Sequence, residues 1–141
     1  MSGRSGAGDP DRPPIEWVGG TTGWPLYWAR VWGARGLLYV WDDSVSPELV
    51  AALTDSAWRV REMAAKVVRR REVGEAAGTL PDLVDDPVER VRIAAVRAVA
   101  VVGEGEHLEL LVGVTQDPAT RVARAAGMAL GQLEEHLDRR A

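Results

Sequence analysis

The sequence predicts an all-α protein. It is a short α-solenoid of three helical hairpins behind a degenerate Trp-rich N-terminal capping helix. Three observations predict this. First, the segments DSAWRVREMAAKVV, DPVERVRIAAVRAV and DPATRVARAAGMAL begin at Asp55, Asp86 and Asp117, a constant period of 31 positions. Second, apolar residues within each segment recur at helical spacing and not in strand alternation. Third, Pro25, Pro87 and Pro118 fall in one phase of the same period. A repeat of this length denotes stacked units, because no unit buries its apolar face alone.

The chain opens with MSGRSGAGDPDRPP. This stretch has no apolar segment whose burial would offset the entropy of ordering it, so residues 1–14 are expected to form a disordered arm. It also lacks the apolar centre of a signal peptide. Residues 15–141 are read as one domain, as suits a chain of 141 residues. Residues 15–22 are expected to fold over the outside of the next element, with Trp17 as anchor.

Next comes WPLYWARVWGARGLLYVW, residues 24–41, holding four of the six tryptophans and both tyrosines. Subtracting one period from the first repeat brings it into line. Trp24 takes the position of Asp55, Trp28 that of Arg59, and Trp32 that of Met63. The helix of about 25–41 is therefore read as the second helix of a repeat whose first helix is missing. Gly33 and Gly36 lie on its inward face. Each costs about 1 kcal/mol of helix propensity against Ala, offset by close packing. Trp24, Trp28, Val31, Leu38 and Tyr39 lie away from that face. Large rings cover an open core with few residues, which makes the helix a cap. A cap also shows a polar outer face; here the only charges are Arg30 and Arg35. Cap and contact surface therefore both stand as readings, and self-association through the rings is a third possibility.

The three repeats are placed at about 47–72, 76–103 and 106–137. Each starts with a short apolar motif, at 49–53, 80–84 and 111–115. It turns at Asp-Pro or its equivalent, then enters a longer helix. Pro87 and Pro118 suit the first turn of that helix, with Asp86 and Asp117 able to cap it. Val60, Val91 and Val122 share one register, as do Ala64, Ala95 and Ala126, and Val68, Val99 and Leu130. The closing EEHLDRR reads as the polar end of the last helix, with Arg139 and Arg140 favourable to its dipole.

The pattern D-x-x-x-R-V-R-x-x-A-A resembles the HEAT-like repeats of the phycobilisome-lyase type. The resemblance covers residues 47 to about 135. It implies a short right-handed α-α superhelix whose second helices line the concave side. It also implies a structural ladder between neighbouring repeats. The family's Asp and second Arg fall here on Asp55 and Arg61, and on Asp86 and Arg92. The third copy keeps Asp117 but has Ala123 in place of that Arg, so the ladder is expected to end there.

Opposite the apolar stripe, the second helices carry Arg59, Glu62, Lys66, Arg69 and Arg70 in the first repeat. The second carries Arg90, Ile93, Arg97 and Val101; the third carries Arg121, Arg124, Met128 and Gln132. That is eight positive charges against one negative, in a chain of net charge −4. With the resemblance, these positions become a basic concave face that begins with Trp28, Val31, Arg35 and Tyr39. A single-sign charge cluster in a curved groove concentrates counter-charged ligands, and rings beside arginines suit interface anchors. The candidate partner-binding residues are Trp24, Trp28, Arg35, Tyr39, Arg59, Lys66, Arg69, Arg70, Arg90, Arg97, Arg121 and Arg124. A solvated arginine face is the plain alternative, since Arg is a good helix former.

Catalytic chemistry finds no foothold. There is no cysteine, and His107 and His136 stand 29 positions apart, so no metal-ligand spacing exists. The serines sit in the arm or near turns, without a nucleophile elbow. GEGEH at 103–107 lacks the ending of a phosphate-binding loop and reads as a connector. The DD pairs at 42–43 and 85–86 sit at helix ends, where capping accounts for them. No apolar run approaches membrane-spanning length. The bias to Arg over Lys, 16 to one, fits a GC-rich genome more than a mechanism.

The expectation is a cytoplasmic, non-catalytic interaction or scaffold module. It needs no cofactor or metal and binds an acidic protein or peptide, with no membrane partner. Nucleic-acid binding through the same arginines is the alternative, by likeness to HEAT-like DNA glycosylases. A lyase-subunit role follows from the family's name alone, and fold does not carry function.

Overall fold

The computed structural model describes residues 46–140. Among them every regular element is helical. α1 is Ser46–Ala52, α2 Trp58–Arg71, α3 Leu80–Leu83, α4 Glu89–Val102, α5 Glu106–Val114 and α6 Thr120–Arg140. A 3-10 turn, Gly74–Ala76, precedes α3. This arrangement is consistent with an α-solenoid. The arm, Trp17, the stretch 24–41 and the acidic pair at 42–43 lie outside the described residues.

The long helices α2, α4 and α6 pack side by side, and each short helix packs on the long helix that follows it. Their apolar stripes meet in one core. Leu49, Leu53, Val60, Ala64, Val68, Leu80, Val91, Ala95, Val99, Leu111, Val122, Ala126 and Leu133 are all buried. Alanine at Ala64, Ala95 and Ala126 leaves no bulk at the contact, so the helices approach closely. α4 sits between two long neighbours and is buried on more of its circumference than α2 or α6.

The turn before each long helix differs in detail from the expected cap. Asp55 Oδ1 accepts the Ala57 N–H at 2.9 Å, Asp86 Oδ1 the Val88 N–H at 2.9 Å, and Asp117 Oδ1 the Ala119 N–H at 2.8 Å. These are Asx turns, two residues on. The first helical hydrogen bonds run to the carbonyls of Ala57, Val88 and Ala119. Pro87 and Pro118 therefore stand just before the helix and not in its first turn. Their fixed φ suits the Asx turn, and their missing N–H is not needed there.

A line of guanidinium groups stitches the turns together. Arg61 Nε donates to Asp86 Oδ2 at 2.7 Å and Arg61 Nη2 to Asp86 Oδ1 at 3.2 Å. Its Nη1 reaches back to the carbonyls of Asp55 and Ser56, at 2.9 and 3.2 Å. One period on, Arg92 repeats the pattern with Asp117, at 3.0 and 3.3 Å, and with the carbonyls of Asp86 and Pro87. Each arginine thus ties its own turn to the next. The paired, bidentate geometry is the strong form of this interaction. At the Ala123 position there is no guanidinium to make a further rung.

The far end of α4 is closed by residues from later elements. Gly103 follows α4 in an extended conformation, and its N–H binds the Val99 carbonyl. A Cβ at this position would lie 2.5 Å from Val99 O, so only glycine fits. His107 is buried. Its Nδ1 accepts the Glu104 N–H at 2.8 Å, which leaves the proton on Nε2, 3.2 Å from the Ala77 carbonyl. From α6, His136 Nδ1 lies 2.8 Å from the Ala100 carbonyl, and Arg140 donates to the Gly103 carbonyl and pairs with Glu104. Helix C-termini leave carbonyls without intrahelical partners. α6 extends far enough to supply partners for those of α4.

Candidate functional site

The long helices position a groove of about 770 Å³ along α4, walled by α2 and α6. The floor comes from α4. Arg90, Ile93, Ala94, Arg97 and Val101 recur at helical spacing and turn one face outward. α2 contributes Glu62, Lys66, Arg69 and Arg70, with Glu72 just past its end; α6 contributes Arg121 and His136. The floor is thus partly apolar and the walls are mostly cationic.

The sequence pattern brings Lys66, Arg69, Arg70, Arg90, Arg97 and Arg121 to this one groove. Arg59 and Arg124 do not line it. Trp24, Trp28, Arg35 and Tyr39 lie outside the described residues. Asp55, Arg61, Asp86, Arg92 and Asp117 stand at the turns, away from the lining, as the rungs described above.

The groove cations divide into two groups. Arg90 and Lys66 are engaged by Glu62. Arg90 Nε donates to Glu62 Oε2 at 3.0 Å, and Lys66 Nζ stands 3.5 Å from the same oxygen. Arg90 also lies over the Trp58 ring, 5.2 Å from its centroid, with Arg59 over the same ring at 4.6 Å. Arg69, Arg70, Arg97 and Arg121 are exposed and make no hydrogen bond or ion pair among the described residues. A guanidinium presents five donors in a planar fork, so these four groups offer many unused donors to a carboxylate or phosphate.

Two positions expected on the outward face are buried instead. Glu62 is 7% exposed and Ile93 8%. The reason is lateral packing, since α4 lies against α2 and α6 lies against α4. A helical wheel identifies the stripe that faces the hairpin partner. It does not show what the next long helix covers.

Sequence reasoning misses three residues in or beside the groove. Glu72 caps α2 in the left-handed conformation, at φ 53°. His136 reads in sequence only as part of a polar helix end. Trp58, whose ring carries Arg59 and Arg90, gives no signal beyond its place in the first repeat. A signal for His136 exists in its register, about four turns after Arg121 on the same helix, but only knowing how far α6 extends makes it usable.

Among the described residues no group of three His, Cys, Asp or Glu side chains could hold a metal ion. Nor is any described helix long and apolar enough to cross a membrane. Residues 76–140, spanning α3 to α6, match the family model of HEAT repeats. No curated protein matches the chain.

Proposed function

We propose that this HEAT-like repeat protein is a non-catalytic interaction module that binds an acidic protein or peptide segment in the groove along α4. HEAT repeats commonly mediate protein–protein interaction, which fits a scaffold role. The observation that carries the finer reading is the set of four groove guanidinium groups, Arg69, Arg70, Arg97 and Arg121, without partners among the described residues. They would pair with carboxylates, while Ile93 and Val101 on the floor would take an apolar side chain between them. In this reading the architecture is a short right-handed superhelix of three repeats, working in the cytoplasm. The tryptophan-rich stretch 24–41 extends the contact surface at its N-terminal end.

Nucleic-acid binding is the second reading, because guanidinium groups also neutralise phosphates. Glu62 and Glu72 in the lining favour a peptide, whose charges can be spaced to avoid them, over a phosphodiester backbone, which carries a negative charge at every residue. The test is a binding titration of labelled acidic peptide against wild type and the triple variant Arg70→Glu, Arg97→Glu, Arg121→Glu. Wild type is expected to bind in a salt-dependent manner, and the variant to lose binding by at least about a hundredfold. Equal binding by both proteins, or tighter binding of single-stranded DNA than of peptide, would overturn the proposal.

A further inference from the structure

In this groove of cations, one buried carboxylate has an oxygen to which no described residue donates a hydrogen bond. Glu62 is 7% exposed, and both of its ion-pair contacts, from Arg90 and Lys66, fall on Oε2. Oε1 receives no hydrogen bond among the described residues. A carboxylate has about four lone-pair positions, and a buried one left short of donors carries a desolvation cost. The residue lines the groove, so a ligand seated there can donate to Oε1.

We infer that Glu62 Oε1 is a specificity-determining acceptor, so that the ligand is an acidic peptide interrupted by a Lys or Arg whose side chain reaches Glu62. This rests on the peptide reading above and sharpens it. Arg90, which touches Glu62, lies seven positions before Arg97 on α4, about 10 Å along the helix axis. An extended peptide rises about 3.3 Å per residue. The basic residue and the carboxylate on Arg97 therefore stand about three positions apart in the ligand. Arg121, on the opposite wall, shares the repeat register of Arg90. It takes an acidic group beside the ligand's basic one. An unbroken polyanion fits less well, because it sets like charges together over Glu62.

The test uses two short fluorescein-labelled peptides of alternating Glu and Ser, identical except that one central Glu is replaced by Lys. Fluorescence anisotropy is read at low salt against wild type and Glu62→Gln. The Lys-containing peptide is less negative, so bulk attraction to the arginines alone would weaken its binding. The inference expects wild type to bind it at least about threefold tighter than the all-acidic peptide, and Glu62→Gln to reverse that order. Weaker binding of the Lys-containing peptide by wild type overturns the inference and leaves the acidic-peptide reading intact. No binding of either peptide, or displacement of both by an oligothymidylate of equal length, overturns both. The comparison on wild type decides the matter alone if Glu62→Gln does not fold.

Discussion

Replacing Arg61 with Ala removes one complete rung of the ladder. The guanidinium makes two hydrogen bonds to the Asp86 carboxylate and two to turn carbonyls. Without it, Asp86 keeps the Val88 N–H on Oδ1 and loses the guanidinium donors on both oxygens. Its side chain is 7% exposed, and that of Arg61 is 16% exposed. Removing one member of a buried pair costs about 3–5 kcal/mol, because the other charge is left uncompensated. Residual access of water to Arg61 places the expectation near the lower end, about 3 kcal/mol. The assay is urea unfolding followed by far-ultraviolet circular dichroism, run as a double-mutant cycle with Asp86→Ala. Asp86→Ala also loses the Asx turn, so the coupling term isolates the ion pair. A coupling of about 1–3 kcal/mol is expected for residues in one network. A cost below about 1 kcal/mol for Arg61→Ala, or coupling near zero, would show that the rungs are surface pairs of little consequence.

Three further substitutions probe other joints. Gly103→Ala forces a Cβ against the Val99 carbonyl and should destabilise by about 2 kcal/mol, seen as a lower melting temperature. His107→Ala removes a buried ring and strips the Glu104 N–H and the Ala77 carbonyl of their partner, and should cost about 1–3 kcal/mol in urea unfolding; His107→Gln should recover part of that. Arg30 precedes Asp55 by the same 25 positions that separate Arg61 from Asp86 and Arg92 from Asp117. On this spacing in the sequence alone, Arg30→Ala is expected to lower stability, and an unchanged unfolding midpoint would refute that expectation.

The repeat was legible in sequence because its determinants are local and periodic. Asp, Arg and Ala positions recur with each copy, and the turn chemistry recurs with them. The long helices and the shared groove arginines follow from that register. Glu62 shows where the reading stops. Its letter is charged and its wheel position is outward, yet the neighbouring long helix covers it, and only assembly of the stack reveals that. His107 and His136 were opaque for another reason. Each meets a carbonyl 30 or more positions away, and such a partner leaves no periodic trace. The helix after Pro87 starts later than its letters suggest because an Asx turn and an N-cap begin with the same residue types.

The rungs also carry a rule about how such a chain changes length. Every rung spans 25 positions and every unit 31, so duplicating one whole unit between Asp86 and Asp117 reproduces all the pairings unchanged. A copy appended after α6 meets Ala123 and inherits no arginine to hold it. The ladder is extensible from within and has no arginine at position 123 for a further rung, which makes the interior seam the place to lengthen or shorten the groove by design.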